Sequence, residues 1–204
     1  MKLFFSPASP YVRKVMVVAS ELGLADRIEK LPSAASPIKA DQTIVVHNPT
    51  GKVPTLVTDD GLALFDSRVI CEYIDSIDGK QRIFPAAGPA RWNALREQAI
   101  GDGLLDAALL ARYEGFMRPE ELRWDAWMTG QLTKIDVSLA AIETIAGEFG
   151  DRIDIGTITI GCALHYLDFR FADRPWRDGN PKTAAWFERF SQRPSMTASS
   201  PFTA

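Results

Sequence analysis

Cysteine and histidine are scarce in this chain. It has Cys71 and Cys162, and His47 and His165, among 204 residues. Both cysteines fall inside apolar helical patterns and read as small buried side chains. That excludes a disulfide scaffold and fits a reducing compartment. Neither histidine lies at ligand spacing from a cysteine, so no metal site is expected. An excess of basic charge is also lacking. Lys and Arg number 23 against 26 Asp and Glu, the net charge is −3, and no run of five basic residues occurs. A nucleic-acid partner is therefore not expected. No apolar run approaches the length of a membrane span, and the apolar stretch after Lys2 is too short for a secretory signal. A cytoplasmic globular protein is expected, 46% apolar and 24% charged, with room for one large or two small domains.

The informative residues are near the start. Ser6-Pro7-Ala8-Ser9-Pro10-Tyr11 joins a short apolar run, Leu3–Phe5, to a helical pattern in which Val12, Val15, Met16, Ala19 and Leu22 share one face. Pro10 suits the first helical position, where no amide donor is missed. Ser9 then occupies the cap, beside unpaired amides and the positive end of the helix dipole, a place that favours an anion. Further on, Asn48-Pro49-Thr50-Gly51-Lys52-Val53-Pro54 is a turn leading into a strand with proline near its start. Asp66-Ser67 caps another helical face made of Val69, Ile70, Tyr73, Ile74 and Ile77.

The rest of the chain can be placed more coarsely. Strands are expected at 3–5, 27–31, 54–57 and 62–64, the last two as a hairpin, with helices over 10–23 and from Ser67 to Ile77. Residues 33–50 read as irregular. Asp78-Gly79-Lys80 and Ala87-Gly88-Pro89 bracket a linker. Domains are expected at 1–78 and 89–204, with the linker at 79–88. Beyond Pro89 only helical patterns remain, over 90–114 and 120–149. In the second, Leu132, Ile135, Leu139, Ile142, Ala146 and Phe149 form a bundle seam. Residues 155–167 carry no formal charge and should be a buried helix, with Asp154 and Thr157 as a capping pair. A short helix opens at Pro181 and closes at Arg193-Pro194-Ser195.

The order of strand, Ser-Pro helix, Gly-Lys-Val-Pro strand and Asp-Ser helix closely resembles the glutathione S-transferase family, and the likeness runs along nearly the whole chain. It implies an α+β thioredoxin-like N-terminal domain (βαβαββα) that binds glutathione, followed by an all-α C-terminal bundle. The Asp154/Thr157 pair reverses the family's usual order of Ser/Thr first and Asp fourth. The resemblance implies a detoxifying transferase that uses glutathione as co-substrate, without a metal. Its partners would be glutathione, a small hydrophobic electrophile and a second copy of the chain as a homodimer.

Such a reaction needs glutathione as a thiolate near neutral pH, although an ordinary thiol ionises at about 8.5. A hydroxyl donating to the sulfur at a helix N-terminus favours the charged form. Ser9 fits that role. Its Ser-Pro-Tyr context resembles the Ser-Pro-Phe of plant tau-class members and, with serine for cysteine, the omega-like branch. Ser6 is the competing serine. Val53, before a Pro54 that the resemblance implies is cis, would pair with the peptide backbone of glutathione. Ser67 would meet the γ-glutamyl carboxylate and Asp66 the ammonium, each also serving as a cap. Lys52 and, more weakly, Lys39 would meet the glycyl carboxylate. Arg13 would support the loop. Asp102, flanked by Gly101 and Gly103, would reach the partner subunit's glutathione, with close packing across a helix seam accounting for the glycines. Tyr11, Gly103, Ala107, Leu110, Tyr113 and Phe169 would line the electrophile pocket. Two rival readings remain: a glutathione-dependent peroxidase or reductase, and a non-catalytic relative of the stringent-starvation type.

Overall fold

Leu3 and Phe4 form the buried middle of strand β1 (Lys2–Phe5). In this computed structural model, which describes residues 1–33 and 35–203, β1 lies inside a four-stranded sheet of order β2-β1-β3-β4. β2 (Glu29–Pro32) runs parallel to β1, β3 (Thr55–Val57) antiparallel to it, and β4 (Ala63–Leu64) antiparallel to β3. A parallel pair needs a crossover, and helix α1 (Pro10–Glu21) supplies it. The expected face of α1, Val12, Val15, Met16 and Ala19 continued by Leu22, is buried, and so are Arg13, Lys14, Val17 and Val18, so the helix is covered on more sides than its period suggests. Pro32 closes the edge strand, where a missing donor breaks no ladder.

Two expectations for this part are corrected. Residues 33–50 are not wholly irregular, because α2 (Gln42–Val45) forms one turn, capped by Asp41 Oδ1 on the Thr43 amide at 2.9 Å. It is anchored by buried Ile44 and is too short to leave a periodic signal. On α3 (Ser67–Ser76), the buried face is Ile70, Cys71, Ile74 and Asp75, while Val69 is exposed. The helix is rotated because Asp75 is held inward. Its carboxylate accepts the amides of Arg82, Ile83 and Phe84 at 2.8–3.0 Å and folds the linker against the first unit.

The chain divides into two compact units. The first runs from Met1 to Arg91 and takes in the end of the chain from Pro194. The second is Trp92–Arg193. The sequence reading expects 194–204 in the helical domain. Within the first unit, α8 (Pro194–Ala198) is instead stapled to α1. Buried Arg13 donates to the Met196 carbonyl at 2.7 Å and to Ser199 Oγ at 3.2 Å, and Ser195 Oγ donates to Glu21 at 2.5 Å.

The helices beyond the linker are α4 (Gly88–Phe116), α5 (Asp125–Ile145), α6 (Ile155–Arg170) and α7 (Pro181–Phe190). The expected 120–149 helix is interrupted at both ends by 3₁₀ turns, Glu120–Leu122 and Ala146–Glu148. Its seam holds from Ile135 onward, with Ile135, Leu139, Ile142, Ala146 and Phe149 all buried, while the expected Leu132 is only half-buried and Gln131 beside it is buried. α6 is buried along most of its length, as its lack of charge predicts. Asp154 and Thr157 bond reciprocally at 3.0 and 3.1 Å. Arg152 ties this cap to α4 through Asp154 at 2.9 Å and Glu97 at 2.6 Å. Burial raises the Glu97 carboxyl above its usual range even so. Among the described residues no helix is long and apolar enough to cross a membrane.

Two glycines let α4 and α6 approach. A Cβ on Gly156 would lie 2.9 Å from the Ala94 carbonyl and 2.8 Å from Glu97 Cβ. One on Gly101 would lie 2.9 Å from Thr159 Cγ2 and 3.1 Å from the Ile160 nitrogen. Gly103 meets nothing within 4 Å, so the packing reason expected for both flanking glycines applies to Gly101 alone. Gly156→Ala should lower stability by about 1–3 kcal/mol through overpacking. Gly103→Ala should raise it by up to about 1 kcal/mol through helix propensity. Urea denaturation measures both. An unaltered Gly156→Ala would refute the close approach.

Candidate functional site

Strand register brings three sequence features to one end of the sheet. β1 ends at Phe5 and leads into the Ser6–Ser9 turn. The β1–β3 pairing sets Phe4 opposite Thr55, so Val53 and Pro54 lie beyond that same end. β4 pairs Leu64 with Leu56, and its continuation runs to Asp66 and Ser67 at the start of α3.

Ser9 caps α1 in an extended conformation. Its Oγ accepts the Val12 amide at 3.3 Å. A hydroxyl that accepts from the backbone still has its own proton to donate. The Ser9 amide donates to the Ser6 carbonyl at 3.1 Å, so Ser6 shapes the turn through its backbone. Asp66 caps α3 through Oδ1 on the Arg68 amide at 2.8 Å and is exposed. Ser67, the first helical residue, is only 2% exposed. Lys52 and Lys39 are both exposed.

The Val53–Pro54 bond is cis. Among the described residues the Val53 N–H and C=O make no hydrogen bond, although Val53 is half-buried. A half-buried, unpaired backbone edge at a strand start can accept an added peptide strand. The loop presenting it is braced by Asn48, a residue the sequence reading did not single out. Asn48 is 1% exposed. Its Nδ2 donates to the Lys52 carbonyl at 3.2 Å and to Thr55 Oγ1 at 2.9 Å. Its Oδ1 accepts from the Thr50 amide at 3.0 Å and the Thr50 hydroxyl at 2.8 Å. Gly51 takes φ +63°, a left-handed turn that favours glycine. The Asn-Pro-Thr-Gly run carries a readable signal for this: an Asx side chain bonding the backbone two residues on.

Of the residues expected around a second ligand, Tyr11 is half-buried on α1 in the first unit. The other five belong to the second. On α4, Gly103 and Leu110 are exposed, Ala107 is buried and Tyr113 is half-buried. On α6, Phe169 is half-buried, with the Arg170 guanidinium carbon 3.8 Å from its ring centre. Burial raises the Tyr113 phenol above its usual value and pushes the buried Tyr166 up to about 12. Both are therefore neutral hydroxyl donors at physiological pH. Asp102, expected to reach the partner subunit's glutathione, is 1% exposed and engaged within the chain. Sequence reasoning also missed Tyr166, Arg112 and Arg170, whose environment depends on contacts between helices far apart in sequence.

Comparison with known proteins gives a consistent result. The chain matches the model of the glutathione S-transferase N-terminal domain over residues 8–77 and that of the C-terminal domain over residues 125–189. It is 32% identical to the uncharacterised GST-like protein YibF of Escherichia coli K12, over 98% of both chains. A crystal structure of a glutathione transferase family member from Pseudomonas fluorescens Pf-5, with bound glutathione, is 45% identical with TM-score 0.95, covering 98% of each chain. A second structure of a family member from that organism, with bound S-(propanoic acid)-glutathione, is 44% identical with TM-score 0.90 over the same shares.

The Asn48 web makes a direct prediction. Asn48→Ala strips partners from buried groups of the loop and should cost about 1–3 kcal/mol. The midpoint of urea unfolding reads it. An unchanged midpoint would show that the web does not hold the loop.

Proposed function

The chain belongs to the glutathione S-transferase family, and from that premise we propose that it binds glutathione at the sheet end of its first unit and joins the thiolate to a small hydrophobic electrophile. The observation that carries this reading is the register that sets Ser9, Val53-Pro54 and Asp66-Ser67 at one end of one sheet. The glutathione and S-(propanoic acid)-glutathione held by the Pseudomonas relatives support the same ligand here.

In this reading the Val53 N–H and C=O pair with the cysteinyl backbone of glutathione, as one strand pairs with another. The α3 N-terminus at Ser67 receives the γ-glutamyl carboxylate, and Asp66 the ammonium. Exposed Lys52 meets the glycyl carboxylate, with Lys39 the weaker candidate. The thiol loses its proton to water, and the Ser9 hydroxyl, together with the positive end of α1, stabilises the sulfur anion that remains. The sulfur then attacks an electrophilic carbon. A C–S bond forms from the thiolate pair while the bond to the leaving group breaks and takes its own pair with it. Gly103, Ala107, Leu110, Tyr113 and Phe169 of the second unit would contact the electrophile, and alignment of the two reactants supplies much of the rate. Disulfide exchange through the protein is disfavoured because Cys71 and Cys162 are both fully buried. The same reading makes the enzyme a cytoplasmic, homodimeric catalyst of detoxification.

Ser9→Ala should lower kcat/KM with a chlorodinitrobenzene-type electrophile by about 10²–10³-fold, the loss typical of one preorganised donor. Loss of the cap at Val12 should separately cost about 1 kcal/mol of stability. Ser6→Ala should change activity little. Steady-state kinetics decides between them, and a fully active Ser9→Ala beside an inactive Ser6→Ala would assign the role to the other serine.

A further inference from the structure

Among the described residues, several arginines of the second unit have no carboxylate partner; Arg96, Arg123 and Arg189 are exposed to water, whereas two others are not. Arg118, Arg152, Arg174 and Arg177 in that unit each hold a carboxylate at 2.6–3.0 Å. Arg112 on α4 and Arg170 on α6 are half-buried, yet among the described residues neither has a carboxylate within ion-pair distance. They are also neighbours. Gly156 lies against Ala94 and Glu97, and Gly101 lies against Thr159 and Ile160, so α4 and α6 run side by side in the same direction. Arg112 is eleven residues past Gly101, and Arg170 is ten past Ile160. At about 1.5 Å per residue the two reach the same level of the helix pair. Each influences the ionisation of the same group: burial first, then Arg112, draws Arg170 below its usual value, and both arginines act on Tyr166.

The guanidiniums are held by aromatic rings. Arg170 Cζ lies 3.8 Å from the Phe169 ring centre and Arg112 Cζ 4.5 Å from that of Phe116. Stacking fixes the plane of a guanidinium and leaves its N–H groups available at the edge. Tyr166, one turn before Arg170, and Tyr113, beside Arg112, add neutral hydroxyls. Two like charges partly withdrawn from water repel each other, and an anion bridging them relieves that repulsion. The planar donor forks match a carboxylate in particular.

We infer that Arg112 and Arg170 form a carboxylate receptor in the second-substrate site, so that the preferred electrophile is a small organic acid with an apolar body. This rests on the proposed transferase reading, which puts the adjacent Tyr113 and Phe169 in that site. The test is calorimetric titration of the full chain with glutathione, S-(2-carboxyethyl)glutathione and its neutral analogue S-propylglutathione, each affinity expressed relative to glutathione. The acid should bind about tenfold or more tighter than the propyl analogue. Arg112→Gln and Arg170→Gln, each checked for native circular dichroism, should bring the two analogues close to equality. Arg170→Lys should keep part of the preference through its charge. Glutathione that binds with no preference for the acid, or a preference undiminished in both Gln variants, overturns the receptor alone. Glutathione that does not bind overturns the transferase reading and the receptor with it.

Discussion

One buried side-chain amide, that of Asn48, holds together the part of the first unit on which the functional reading depends. The turn between α2 and β3 brings polar backbone into a position where water cannot reach all of it. Each such group must find a partner or cost the fold a kilocalorie or more. Asn48 satisfies the Lys52 carbonyl and Thr55 hydroxyl with one end and receives Thr50 with the other. Among the described residues, Val53 is left over as a half-buried edge whose N–H and C=O have no hydrogen-bond partner. The unit thus solves its internal hydrogen bonding around one unfilled place, at the level where Ser9 and Ser67 begin their helices.

The second unit is organised on a different constraint, the close approach of α4 and α6. Gly101 and Gly156 remove the side chains that would keep the two backbones apart, and Arg152 pins the start of α6 to Glu97. Packing of this kind transmits register. Once Gly101 is set against Thr159 and Ile160, the residues about three turns further along each helix are set as well. That brings Arg112 and Tyr113 of α4 together with Tyr166, Phe169 and Arg170 of α6, two groups more than fifty residues apart in sequence. The chemical character of this region therefore follows from two small residues well away from it.

Features encoded over short distances were legible in the sequence. The Ser9-Pro10 cap, the apolar face of α1, the Asp154/Thr157 pair and the uncharged α6 all depend on neighbours within a turn or two. Features that depend on distant partners were not. Val69 carries the right periodicity, but Asp75, drawn inward by the amides at 82–84, rotates α3 and exposes it. The chain's end looked like an extension of the helical domain, because nothing near Pro194 announces that Arg13 will bind Met196. The glycines beside Asp102 suggested packing across a helix seam, but that the contact at Gly101 is with Thr159 and Ile160, nearly sixty residues on, could not be read from them. Asn48 falls between these cases: its Asx-turn pattern was present, but its bond to Thr55 required the strand to be in place.

The central claim is that the sheet end of the first unit is the glutathione site. Titrating the ¹⁵N-labelled full chain with glutathione and following its amide resonances tests this most directly. Saturable shifts at Val53 and Ser67, the two backbone positions assigned to the peptide and the γ-glutamyl carboxylate, are the predicted result. Saturable shifts confined to other parts of the chain, or none at all, would contradict the account.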